Sequence, residues 1–272
     1  MGPHMGEPPS QALKLRGRRN AMNRWKAVLL VCVAMLLGLS WMPVPAHADP
    51  RAFGIDNVGD LYTINLATAK ATLIGRTTME GRPGGLALSP TGMLFATDWK
   101  FKSYRNKLYR IDPATAATTV VGETGRTLIF ALDFNGTTLF GSQFKLNPRI
   151  SSMNTATGEA TSIVNLSGAP DLRIDALTTL LPTTMLMMTR RTGAHNVLQS
   201  VDLTTGVTGG TINTGGGTAI GAMDFASDGN LYGVDFEGGV WHINPTTGAR
   251  TVIGNTGKHY WFGLAAIPAE SP

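Results

Sequence analysis

The stretch LYRIDPATAATTVVG, residues 108–122, contains an apolar segment, a polar turn and a second segment rich in β-branched residues. Its first four residues alternate in polarity and its last residues are mostly β-branched, and both patterns favour β-strands. Asp112 and Pro113 begin the turn between them, since Asp binds nearby backbone amides and Pro presets φ. The stretch therefore predicts two strands joined by a tight turn.

The same pattern occurs four more times along the chain. The other copies begin at Leu61, Ile150, Leu198 and Val240, so that successive copies lie 47, 42, 48 and 42 residues apart. A period of this size indicates a repeat architecture. Each later copy follows a second pair of apolar segments with a hairpin-type turn, such as GGLALSPTGMLFATDW before the copy at residue 108. Four strands in about 45 residues are typical of one propeller blade.

The two ends of the repeat region complete each other. The first blade begins at RAFGID, residues 51–56, and lacks an innermost strand, whereas the C-terminus carries a spare strand, FGLAAIPA, residues 262–269. Pairing these two segments closes the ring and removes the open edges that an array must otherwise protect. Residues 49–272 are therefore predicted to form an all-β, five-bladed β-propeller with four antiparallel strands per blade.

The repeats resemble those of secreted bacterial β-propeller proteins, many of them known only as domains of unknown function. The shared pattern is G-L-A followed by L-Y, and then L-Y-x-I-D-x-x-T-G. In the second blade it reads GGLALSPTGMLF and LYRIDPATA, with Phe95 in place of the first Tyr and Ala116 in place of the final Gly. The resemblance covers nearly all of residues 49–272. It implies the propeller fold and a secreted protein, and it leaves the activity open.

Residues 1–48 have the composition of an N-terminal extension with a secretory signal peptide. Basic residues precede an apolar run, and an Ala-His-Ala site follows it. Arg18-Arg19 leaves twin-arginine export open beside the general route. Removing this segment removes six of the 23 basic residues, one of the 18 acidic residues and the only cysteine. The remaining chain has no net charge, so we expect no nucleic-acid partner. The signal peptide predicts a secreted or periplasmic protein with no membrane span after cleavage, and we expect it to be a monomer.

The two faces of the predicted ring differ. One face, here called the turn face, carries the turns between the first and second and between the third and fourth strands of each blade. These turns are short and alike, as in DPATAA, NTATGE and NPTTGA. The opposite face, here called the loop face, carries the loops between the second and third strands and the links between blades, and its loops vary from four to nine residues. Variable loops on a rigid scaffold often bind ligands, so we place the candidate site on the loop face.

Basic and aromatic residues are concentrated in the segments of the loop face. The predicted ligand-binding residues are Trp99, Lys100, Lys102, Tyr104, Arg105, Arg126, Arg190, Tyr260 and Trp261. Aromatic surfaces with Arg and Lys suit a polysaccharide, an acidic peptide or a protein partner. Loop cations are also commonly no more than solvated, and this structural interpretation stays open beside the functional one.

Acidic residues occur at two sets of equivalent positions. Asp56, Asp98 and Asp235 end the second strand of their blades, where the other two blades have Gln143 and Arg190. Such an Asp either begins a turn or serves chemistry at the mouth of the channel. Asp133 and Asp224 are predicted to line the central channel from the inner strands, where they either bind a water or cation or act as structural hydrogen-bond acceptors.

Catalytic motifs are missing from the sequence. It contains no G-x-S-x-G, no HExxH and no phosphate-binding loop, and its histidines after residue 48 are scattered, so we predict neither a metal site nor a cofactor. The leading hypothesis is a secreted, non-enzymatic binding propeller. A glycoside-processing enzyme using Asp56, Asp98 and Asp235 is the alternative, since such enzymes use paired carboxyl groups. A scaffold subunit of an envelope assembly is the third possibility.

Overall fold

The computed structural model describes residues 49–99, 106–144, 148–166, 173–190 and 196–269. Blade 1 contains β1 (Arg51–Asp56), β2 (Asp60–Asn65) and β3 (Ala71–Arg76). Blade 2 contains β4 (Arg82–Leu88), β5 (Leu94–Trp99), β6 (Lys107–Ile111) and β7 (Thr118–Glu123). Blade 3 contains β8 (Ile129–Asn135), β9 (Thr138–Gln143), β10 (Arg149–Met153) and β11 (Ala160–Asn165). Blade 4 contains β12 (Arg173–Leu181), β13 (Thr184–Arg190), β14 (Val197–Asp202) and β15 (Ile212–Asn213). Blade 5 contains β16 (Ile220–Phe225), β17 (Leu231–Asp235), β18 (Gly239–Ile243) and β19 (Arg250–Asn255).

The last strand, β20 (Trp261–Ile267), closes the ring. It pairs antiparallel with β1 in the register Gly54↔Leu264, and becomes the innermost strand of blade 1 in the order β20-β1-β2-β3. The other four sheets each have four antiparallel strands in chain order. The predicted five-bladed propeller and its closure by the C-terminal strand are confirmed.

The hydrophobic core is divided among the gaps between the blades. Each of its five clusters combines buried side chains of two neighbouring blades. Between blades 1 and 2, for example, Ile55 and Leu61 pack with Leu86 and Leu94, and all four are at most 1% exposed. Because every blade needs both neighbours to bury its two sheet surfaces, an unclosed ring would expose the cluster at its open gap, and with it one surface of each of two blades.

The turns of the turn face share one hydrogen-bonding scheme. In blade 2, the Asp112 carboxylate accepts the backbone N–H groups of Ala114 at 2.8 Å and Thr115 at 3.1 Å. Asn65, Asn154, Asp202 and Asn244 do the same in the other four blades. The repeated Asp and Asn residues are therefore needed to fold the turns.

Each inner strand contains a β-bulge close to the loop face. The pairing register skips one residue in every one of these strands, and the skipped residues are Gly84, Phe130, Asp175, Gly221 and Phe262. A bulge breaks the alternation of side chains and re-aims one of them. No helix in the described residues is long and apolar enough to cross a membrane.

Candidate functional site

The three aspartates at the strand ends are bound to their own blades. Asp56 accepts the N–H groups of Val58 and Asp60 at 3.0 and 2.9 Å. Asp98 accepts the N–H of Lys107 at 2.8 Å and the hydroxyl of Tyr109 at 3.0 Å. Asp235 accepts the N–H groups of Glu237 and Gly239 at 2.9 and 2.7 Å and the indole N–H of Trp241 at 2.7 Å. All three are buried, so they fix the start of the loops and present no open pair of carboxylates.

Four of the five bulged residues surround the narrow centre of the ring. Phe130, Asp175, Gly221 and Phe262 line a small cavity together with residues of all five inner strands. Its volume is about 10 Å³, which is close to the space that one water molecule requires. A ligand larger than water therefore does not fit into this cavity, which lies toward the loop-face end of the channel.

Five aromatic rings gather at this end of the channel, and we call them the aromatic cluster: Trp99, Phe130, Phe144, Phe236 and Phe262. Phe130 lies at its centre, with ring centroids 5.5 Å from Trp99, 5.1 Å from Phe144 and 5.9 Å from Phe262. Phe236 extends the cluster, 5.6 Å from Phe262. Every one of these side chains is partly exposed, so the aromatic cluster contributes to the surface at the mouth of the channel.

Arginine guanidinium groups flank the aromatic cluster on two sides. Arg82 lies 5.7 Å from the ring centroid of Trp99, and Arg173 and Arg190 each lie 5.5 Å from that of Phe144. These distances are within the range of cation–π contacts, which hold a guanidinium in place. Arg82 and Arg173 are exposed, and neither makes an ion pair within the described parts of the chain.

Arg190 has a different role, because it pairs with a buried carboxylate. Its Nη2 donates to Asp175 Oδ1 at 3.0 Å, and the Asp175 side chain is only 2% exposed. Asp175 Oδ2 and Arg190 Nε have no hydrogen-bond partner among the described residues. Burial raises the pKa of Asp175 to about 7, although the charges of Arg190 and Arg173 oppose this shift. The pair therefore ties the inner strand of blade 4 to its neighbour β13.

The remaining predicted ligand contacts are dispersed, and one of them is buried. Trp261 is 0% exposed, packs edge-on against Tyr62 at 5.3 Å and donates its indole N–H to Thr256 at 3.1 Å, so it belongs to the core. Tyr260 is 55% exposed beside it. Arg126 is half-buried in the link before β8. Lys100, Lys102, Tyr104 and Arg105 lie outside the described residues.

Asp133 and Asp224 join neighbouring blades near the turn face. Asp133 accepts the N–H of Thr179 at 2.6 Å, and Asp224 accepts the Thr178 hydroxyl at 2.8 Å and the Ala266 N–H at 2.7 Å. Burial raises the pKa of both carboxyl groups, and for Asp133 the charge of Asp224 adds to the effect. Within the described residues, no group of three or more His, Cys, Asp or Glu side chains is placed to hold a metal ion.

The sequence contained a signal for part of the aromatic cluster. The residues that follow the aligned positions 98, 143 and 235 are Trp99, Phe144 and Phe236, so three of the five blades carry an aromatic residue at this point. Phe130, Phe262 and Asp175 had no such signal, because a bulge, which the alternation pattern does not reveal, directs them toward the channel.

Comparisons with known proteins support the fold. No protein-family model and no curated protein matches the chain. A chain in a crystal structure of a nidogen/laminin complex is similar, with a TM-score of 0.54, 15% identity and coverage of 81% of both chains. A protein of unknown function from Bacteroides caccae has a TM-score of 0.46, 9% identity and coverage of 76% of this chain and 72% of its own. At such identities the first match shows the propeller fold alone, and we draw nothing from the second.

Proposed function

We propose that this protein is a secreted or periplasmic binding module that carries no enzymatic activity of its own. Its ligand, a polysaccharide, an acidic peptide or a protein partner, binds to the loop face at the mouth of the central channel. The observation that carries the proposal is the partly exposed aromatic cluster with Arg82 and Arg173 beside it. Aromatic and Arg side chains are enriched among the residues that dominate binding energy.

The fold and the carboxylates also support a binding role. A chain with a similar fold occurs in a structure described as a nidogen/laminin complex, so the architecture is compatible with protein binding. The glycosidase alternative requires an acid and a second carboxylate open to the substrate. The carboxylate oxygens of Asp98 and Asp235 instead accept hydrogen bonds from donors in their own blades.

A binding screen combined with a product assay tests the proposal. The purified protein is titrated against acidic and neutral polysaccharides, acidic peptides and isolated envelope proteins, and each polysaccharide mixture is then assayed for new reducing ends. We expect saturable binding to one class and no reducing ends above the protein-free control. Release of reducing ends that disappears in Asp98→Asn or Asp235→Asn would overturn the non-enzymatic proposal.

A further inference from the structure

The exposed arginines and the central rings form a continuous strip. Arg82, Trp99, Phe130, Phe144 and Arg173 follow one another through contacts of 5.7, 5.5, 5.1 and 5.5 Å. The strip spans blade 3 and reaches blades 2 and 4, with a cation at each end and three rings between. We call it the Arg–aromatic strip.

From this order of groups we propose that the strip binds an acidic polysaccharide, with sugar rings over the central aromatic rings and carboxylate groups at the two terminal guanidiniums. This inference rests on the proposed function and specifies its ligand class. Planar aromatic surfaces suit the apolar faces of sugar rings, and a guanidinium fork matches a carboxylate in a bidentate manner.

The guanidinium groups at the two ends are available for a ligand. Arg82 and Arg173 are exposed and make no ion pair within the described residues, unlike Arg76, which binds Asp60 at 2.6 Å, and Lys107, which binds Glu80 at 2.7 Å. Stacking on Trp99 and Phe144 restricts their motion before binding, so less side-chain entropy is lost on ligand contact.

A groove beside the Arg82 end adds room for an extended ligand. It has a volume of about 480 Å³ and is lined by Asn57, Arg76, Glu80, Arg82 and Trp99, among others. This volume falls in the range of small-molecule sites, and the lining combines amide, guanidinium and carboxylate groups. Such a mixed set of donors and acceptors complements the hydroxyl groups of a sugar better than it complements an apolar ligand.

An acidic peptide fits the same surface less well. Peptides that bind to sheet proteins commonly extend a free strand edge through backbone hydrogen bonds. Here the edges that face the channel belong to the inner strands, and all five of these strands are interrupted by a bulge near the loop face. A bulge blunts an edge against pairing, so a ligand that needs no strand edge is favoured.

Three polymers separate charge, sugar rings and peptide backbone in one titration. Polygalacturonate supplies carboxylates on sugar rings, its methyl ester supplies the same rings without charge, and poly-glutamate supplies carboxylates on a peptide. We expect polygalacturonate to bind at least about tenfold more tightly than either of the others, because only it uses both the rings and the arginines.

Variants of the exposed arginines locate the contact. Arg82→Gln and Arg173→Gln should each weaken polygalacturonate binding by about tenfold and reduce its dependence on salt. Arg110→Gln removes another exposed guanidinium, from β6 near the turn face, and should change nothing. Phe130→Leu keeps the apolar volume and removes the flat ring, so it should weaken binding of the acid and its ester alike.

The outcomes distinguish this inference from the proposed function. Equal binding of polygalacturonate and poly-glutamate, or arginine variants that bind like Arg110→Gln, would overturn the acidic polysaccharide. If no polymer binds but a protein or peptide binds and is lost in Phe130→Leu, the ligand class is wrong and the binding role of the loop face stands. If every bound ligand is insensitive to Phe130→Leu and to both arginine variants, the proposed function fails too.

Discussion

The turn face and the loop face are built from the same five blades, yet their residues obey different constraints. On the turn face, one Asp or Asn in each blade accepts the same two backbone N–H groups, as Asp112 and Asn244 do. On the loop face, equivalent positions carry different chemistry, and the five bulged residues are two Phe, two Gly and one Asp. Uniform residues mark where folding sets the same requirement in every blade, and varied residues mark where it does not.

Contacts between blades explain why the turn face cannot vary. A Cβ on Gly122 would lie 1.9 Å from the carbonyl oxygen of Thr157, and one on Gly75 would lie 3.1 Å from that of Thr115. In each case the turn of the following blade packs directly on the backbone of a glycine in an outer strand. The turns are thus part of the packing between blades.

On the loop face the blades also approach closely at two bulged glycines, since a Cβ on Gly84 would lie 2.3 Å from the carbonyl oxygen of Ile129 and one on Gly221 would lie 2.5 Å from that of Trp261. The bulged Phe130 and Phe262 instead contribute their rings to the aromatic cluster.

The largest effect is expected where a residue next to the loop face belongs to the core. Trp261→Ala should lower the free energy of unfolding by about 3–5 kcal/mol, because it removes a fully buried ring from the cluster between blades 5 and 1. Chemical denaturation measures this change, and Tyr260→Ala, at an exposed neighbour, is the control. If both variants had similar free energies of unfolding, Trp261 would not belong to the core as described.

A second substitution concerns binding rather than stability. Trp99→Ala should cost about 1–3 kcal/mol of ligand binding, since a ring with a partly exposed surface beside Arg82 is removed. Thr246→Ala on the turn face should cost almost nothing, because its side chain is exposed and its turn is fixed by Asn244. Titration calorimetry with the ligand found in the screen measures both. A larger loss for Thr246→Ala would assign binding to the turn face.

A smaller effect is expected in the pH dependence of stability. The pKa of Asp175 is raised by burial to about 7 in the folded protein, above its ordinary value of 3.8. At a pH between these two pKa values, the unfolded chain has released a proton that the folded protein still holds. The free energy of unfolding therefore falls as pH rises through this window and levels off above it. Asp175→Asn should flatten this part of the profile.

Melting temperatures recorded from pH 4 to pH 8 measure the effect of Asp175. Asp112→Asn serves as the control, because Asn already occupies the same turn position at residues 154 and 244. We expect a shift of a few degrees over the window in the parent protein and in the control, and a smaller one in Asp175→Asn. An unchanged profile in Asp175→Asn would show that this carboxyl group titrates in the ordinary range.

The sequence predicted the fold well because repetition made its signals strong. Five copies of one strand–turn–strand pattern agreed on blade length. The spare strand at residues 262–269 matched the innermost strand that the first blade, which begins at residues 51–56, lacked. Turn residues such as Asp112 act locally, through neighbours two and three positions away, so that their role could be read directly from the sequence.

The candidate site could be predicted only in part, because bulges act outside the alternation pattern. Tyr260, Trp261 and Phe262 are consecutive aromatic residues, and one skipped residue in the register decides that Trp261 enters the core while Phe262 joins the channel mouth. The same effect concealed Phe130 and Asp175. Which guanidinium pairs with a buried carboxylate, as Arg190 does, depends on contacts across strands that spacing does not reveal.

Hydrogen–deuterium exchange of the protein with and without its ligand tests most directly whether the loop face binds and the turn face only folds. Amide protection in the complex should increase at residues 82–85, 128–131 and 173–176, where the inner strands reach the Arg–aromatic strip. Protection at the turns of residues 112–117, 154–159 and 244–249 should stay unchanged. Increased protection confined to these turns, with none at the inner strands, would contradict the account.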